Sequence, residues 1–118
     1  MASNAANRRK FINSLRNFMQ TWGFDGVDLD WEYPGADDRG GVPEDTANFV
    51  DLLKDMRDDF QGEYGISVTL PASYWYLRWF DLPAMQEQVD FLNIMTYDIH
   101  GVWDASNKHT GTGLIMEE

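Results

Sequence analysis

Cysteine is absent from all 118 residues, which excludes a disulfide framework and any thiolate metal site. Basic residues are scarce. Nine Lys and Arg stand against twenty Asp and Glu, a formal net charge of −11, so the chain has no basic face with which to displace counterions from nucleic acid or an anionic membrane. Long apolar runs are missing too. No stretch reaches the roughly 20 residues needed to span a bilayer, and Met1 to Lys10 are polar and small, with nothing of signal-peptide length. No internal repeat, low-complexity tract or linker divides the chain. What is present is a hydrophobic content of 43%, enough to build a core, so the sequence reads as globular and as one domain's worth or less.

Phe11, Ile12, Leu15, Phe18, Met19 and Trp22 recur at the spacing of one helix face, with Ser3 or Asn4 as cap and Gly23 as stop. Val27, Leu29 and Trp31 then alternate with Asp28, Asp30 and Glu32 until Pro34 and Gly35, which is the period of a strand. After the Gly/Asp-rich loop Gly35 to Gly41, Pro43 opens a second helix with the face Phe49, Leu52, Leu53, Met56 and Phe60, closed by Gly62 and Gly65. Ile66 to Leu70 forms a strand ended by Pro71. An aromatic segment from Tyr74 to Phe80 follows, then a brief helix from Asp81 to about Gln88 and a third strand from Phe91 to Tyr97. Helices alternating with strands across short loops predict an α/β fold of parallel βα units. Three such units make either a small open sheet or a segment of a TIM barrel, whose usual length is about 250 residues.

The first strand is unusual because one of its faces is entirely carboxylate. Parallel strands are normally apolar on both sides, and like charges at this spacing repel, so a proton is expected to be shared within the row or one pKa to rise. A solvated edge strand explains such a row without any chemistry, and so does a hard-cation site. Placement of all the acids on one strand supplies no cage for a cation. Trp31 on the apolar face, the flanking Phe24 and Tyr33, and the approach of the acids to the strand's carboxyl end favour an active site.

The segment FDGVDLDWEYP, Phe24 to Pro34, carries the DxxDxDxE signature in every defining position and resembles glycoside hydrolase family 18 chitinases. MTYD, Met95 to Asp98, resembles that family's sixth-strand motif, and YWYLRWFDLPAM and MTYDIHGVWD look like its fungal, killer-toxin-like branch. The resemblance extends from about Ser3 to Trp103. It implies that the three strands are the fourth to sixth of a TIM (β/α)8 barrel and that residues 1–118 are a partial catalytic domain. It also implies that the other strands, with a late-strand tryptophan, lie outside this chain. Asp28 and Asp30 are then expected to draw partners from those absent strands.

The same resemblance implies substrate-assisted retaining hydrolysis of chitin or N-acetylglucosamine oligosaccharides, with no cofactor and no metal. Glu32 is the general acid and Asp30 orients the acetamide. Asp28 shares a proton with Asp30, and Tyr97 hydrogen-bonds the acetamide carbonyl. Asp25, Tyr33, Met95, Asp98 and Trp103 complete the substrate-binding candidates, Asp25 supporting the strand's start. Tyr74, Trp75, Tyr76 and Trp79 are read as core aromatics or sugar platforms, and His100 and His109 as loop or surface residues. The full-length parent is expected outside the cell or in its wall, and the isolated chain is expected to be inactive. Two alternatives stay open: a chitin-binding chitinase-like lectin and an inactive truncated product.

Overall fold

Asn4 caps the first helix by accepting the Asn7 N–H at 3.0 Å, and in the computed structural model, which describes residues 1–106, helix α1 runs Ala5–Trp22. Gly23 ends it at φ 72°, a left-handed turn that glycine adopts without a Cβ penalty. Strand β1, Gly26–Leu29, follows. Helix α2 spans Asp45–Phe60 and β2 Gly65–Pro71. Two short helices, α3 over Tyr74–Leu77 and α4 over Leu82–Met85, lead to β3, Phe91–Met95. The sheet has the order β1-β2-β3 and is parallel throughout.

The core lies between the sheet's outer face and the helices. Ile66, Val68 and Leu70 of β2 point outward and are buried, and the expected face of α2 meets them with Phe49, Leu52, Leu53, Met56 and Phe60. Each of those side chains stabilises the fold by about 1.5–3 kcal/mol relative to exposure. Val27, Leu29 and Trp31 pack against the same cluster, Trp31 edge-on to Phe49 with ring centroids 5.2 Å apart. Charged side chains link the elements at the surface of this core. Arg16 of α1 reaches Asp59 and Glu63, and Arg57 of α2 pairs with Asp90 at 3.1 Å.

Element boundaries depart from expectation where the ladder ends. β1 stops at Leu29 rather than Glu32, because its last partner is Val68 and the backbone leaves the sheet where like charges accumulate and need water. β3 stops at Met95, short of Tyr97. Its partner there is Pro71, which has no N–H to extend the pairing. Helix α2 begins at Asp45, not Pro43; the Asp45 carboxylate accepts the N–H groups of Val42 at 2.8 Å and Gly35 at 3.3 Å, holding the preceding loop. The helix expected from Asp81 to Gln88 contracts to Leu82–Met85, capped by Asp81, and the aromatic segment contains a helical turn of its own.

Candidate active site

Asp28 faces the inner side of the sheet. Its register partner on β2 is Ser67, and Thr69 is paired in turn with Asn93 on β3. All three are polar residues at inward positions of strands whose outward positions are apolar, and all three donate to Asp28. Ser67 Oγ lies 2.5 Å from Oδ1, Thr69 Oγ1 2.9 Å from Oδ2, and Asn93 Nδ2 3.1 Å from Oδ1. The expectation that Asp28 needs strands outside this chain is therefore corrected: its partners stand on the two strands that follow it.

That cradle separates the acids electrostatically. Desolvation pushes the Asp28 carboxyl up, but the hydrogen bonds from Ser67, Thr69 and Asn93 together outweigh it and leave the group below the ordinary carboxylate range. Asp30 moves the other way. Desolvation raises it first, and the charges of Glu32 and Asp28 on either side raise it further. Asp28 thus holds its charge more readily than Asp30 does.

Glu32 lies past the end of β1, and the Glu32–Tyr33 peptide is cis. Burial, then a hydrogen bond to Glu32 and the charge of its carboxylate, pushes the Tyr33 phenol up to about 12. Tyr33 stacks on Tyr76 with centroids 4.0 Å apart, so one of its faces is closed to a sugar ring.

The remaining candidates are spread along the sheet. Met95 is half-buried and inward-facing at the end of β3, opposite Pro71. Tyr97, Asp98 and Trp103 lie beyond β3 and are exposed, Tyr97 by 64% and Trp103 by 67%. Asp98 adopts φ 52°. Among the described residues none of these three hydrogen-bonds to the acidic row. Asp25 stands at the other end, preceding β1, where its carbonyl accepts the Gly65 N–H at 2.8 Å. His100 Nδ1 contacts Asp104 Oδ2 at 2.5 Å; the Gly101 N–H, then His100, holds that carboxyl below its ordinary value. His109 lies outside the described residues. No group of three His, Asp or Glu among the described residues converges on a metal position.

Sequence reasoning missed Ser67, Thr69 and Asn93. The signal was available for the first two, because Ser and Thr interrupt the buried run Ile66 to Leu70 with a period of two. Asn93 has the parity of Met95 and was legible only as an inward polar residue.

The sequence matches the family described as Glycosyl hydrolases family 18 over residues 1–114. It is 42% identical over 117 residues to "Probable chitinase LysM11" of Penicillium expansum, an alignment covering 95% of this chain and 10% of that protein. It is 43% identical over 102 residues to "Killer toxin subunits alpha/beta" of Kluyveromyces lactis, covering 83% of this chain and 9% of that protein. Among solved structures, the Ostrinia furnacalis Group IV chitinase in complex with allosamidin matches with a TM-score of 0.82 and 34% identity, over 88% of this chain and 28% of that one. The chain spans about a tenth of the length of these curated relatives. The parallel βα order and the match across almost the whole chain agree: this chain belongs to glycosyl hydrolase family 18 and forms an arc of that family's TIM barrel.

Proposed function

We propose that this chain supplies the catalytic strand of a chitinase that hydrolyses β-1,4-linked N-acetylglucosamine polymers with retention of configuration. The observation that carries the reading is the built acidic row, in which Ser67, Thr69 and Asn93 all donate to Asp28 and hold its carboxyl below the ordinary range, while its neighbour Asp30 is raised. In this reading Glu32 gives its proton to the glycosidic oxygen as the bond to the anomeric carbon breaks. The carbonyl oxygen of the substrate's acetamide closes on that carbon, giving an oxazolinium ion, which water opens while returning a proton to Glu32. Asp30 receives the acetamide N–H and offsets the positive charge that develops there. Asp28, fixed by its three donors, can share a proton with Asp30 and so set its charge state.

Met95, Tyr97, Asp98 and Trp103 belong to the same reading as residues around the reacting sugar, Tyr97 holding the acetamide carbonyl. Asp25 supports the start of the strand, and Tyr33 offers substrate at most its edge and one face. Residues 1–118 act as part of a larger catalytic domain, and the chain expressed alone is inactive and associates through its open sheet edges. The whole protein works outside the cell or in its wall.

The test is Glu32→Gln in the full-length protein. Hydrolysis of chitin oligosaccharides is expected to fall by about 10²–10⁴-fold while binding is retained, since the amide keeps the shape of the acid without its proton. Cleavage at the parent rate, or an α-anomer as the first product by NMR, overturns the reading.

A further inference from the structure

Tyr33 is the residue after Glu32, so whatever holds its ring limits where the Glu32 carboxyl can stand. The ring is stacked on Tyr76, 18° from parallel. The Arg39 guanidinium carbon lies 5.9 Å from the Tyr33 centroid and 6.0 Å from that of Tyr76. With the two centroids only 4.0 Å apart, a point nearly equidistant at that range lies alongside the stack rather than over either face. The Tyr76 hydroxyl donates to Asp38 Oδ2 at 2.8 Å, and Asp38 stands 3.5 Å from Arg39 Nε. The ring stack and the Tyr76–Asp38 hydrogen bond therefore tie the loop that follows the acid to the segment that follows β2.

The same two segments meet again beneath the stack. Pro34, Gly35 and Ala36 are buried. Gly35 has φ 68°, and a Cβ there would fall 2.4 Å from the Trp79 ring, so the backbone of this loop rests directly on the aromatic segment. The Thr46 hydroxyl of α2 donates to the Trp79 carbonyl at 2.8 Å and fixes that segment in turn. The stack is thus mounted on a packed base.

We infer that Tyr76 is a positioning residue for the catalytic acid: through its ring stack on Tyr33 it fixes the peptide that carries Glu32, without touching the reacting atoms. The inference rests on the reading of Glu32 as general acid. Tyr33 itself stays neutral at working pH, because burial and the adjoining Glu32 carboxylate push its phenol up to about 12, so the stack does not add a negative charge beside the acid. Misplacing a catalytic group by about 1 Å costs on the order of 10²-fold in rate, and an acid just past the end of its strand depends on such a support.

The experiment uses two substitutions in the full-length protein, with chitin oligosaccharides as substrate. Tyr76→Leu fills much of the space without a ring and is expected to lower kcat by about 10- to 100-fold with KM changed by less than about 2-fold. Tyr76→Phe keeps the stack and restores most of the loss. A phenol titration by ultraviolet absorbance, with Tyr33 assigned by its absence in Tyr33→Phe, gives a readout that needs no turnover. Tyr33 is expected near 12 in the parent and in Tyr76→Phe, and nearer its ordinary value of 10.0 in Tyr76→Leu. If Tyr76→Leu raises KM at unchanged kcat, Tyr76 binds substrate and the inference fails. If Tyr76→Phe is as impaired as Tyr76→Leu, or if the Tyr33 titration is the same in all three proteins, the stack does no positioning and the inference fails. Should Glu32→Gln prove active, the acid assignment fails instead, while the Tyr33 shift in Tyr76→Leu still reports the tie between the segments.

Discussion

Strands β2 and β1 lie side by side and differ in almost every physical respect. β2 is paired along both edges and its residues Ile66 to Pro71 are buried, whereas β1 is paired along one edge and its ladder ends at Leu29, before two of its acids. The middle strand is held by apolar burial on one face and lends two hydroxyls to the other. The edge strand bears the charge. The acidic row leans on its neighbour: Ser67 and Thr69 reach Asp28 from a strand whose Val68 and Leu70 are buried in the core with α2.

The largest effect is expected from removing the support of β2. Leu53→Ala, at a fully buried position on α2, is expected to destabilise the full-length protein by about 2–5 kcal/mol. Urea unfolding measures it. A loss below about 1 kcal/mol would mean that the core of this arc is not what holds β2.

Removing a donor instead of the core acts on Asp28 alone. Thr69→Val leaves the volume and takes one hydrogen bond from Asp28; because Asp28 faces solvent in this arc, the cost to stability is expected to stay under about 1 kcal/mol. The clearer signal is in titration. Asp28 lies below the ordinary value of 3.8, so its contribution is present above that pH and disappears as pH falls through its folded value. In Thr69→Val that loss is smaller and is complete at higher pH. An unchanged acid limb of stability against Asp28→Asn as reference would show that Ser67 and Asn93 suffice.

Asp30 carries the opposite sign. Its folded value lies above 3.8, so the ionised carboxylate strains the fold near neutrality, and its relative stabilisation is complete only below 3.8 and fades as pH rises through the folded value. Asp30→Asn is expected to raise the melting temperature slightly at pH 7 and to leave it unchanged well below pH 3.8. A lower melting temperature at pH 7 would make ionised Asp30 a structural partner rather than a strained functional one.

The smallest effect belongs to Arg16, whose links to Asp59 and Glu63 are open to solvent. Arg16→Ala should lower the melting temperature only a little, and the difference should vanish near 1 M salt, where the Debye length is about 3 Å. A difference that survives salt would assign Arg16 to packing over the Phe60 and Tyr64 rings, 5.6 and 5.5 Å from its guanidinium carbon.

Much of this molecule was legible one residue at a time. The Phe11, Ile12, Leu15 and Met19 part of the α1 face, the face of α2, the inward side of Asp28, the alternation of helix and strand and the family signature all follow from local periodicity and residue type. Phe18 and Trp22 of the expected α1 face, by contrast, are exposed, and Asp30 and Glu32 lie past the strand. Local pattern reports which way a side chain points. It carries no record of what stands opposite. The donors to Asp28 come from residues 39, 41 and 65 positions away in the chain, β3 ends where Pro71 of its neighbour withholds an N–H, and the ring covering Tyr33 comes from the segment after β2. Those facts were decided by register and packing in the folded chain, because hydrogen bonds and ring stacking act over a few ångströms of space whatever the separation in sequence.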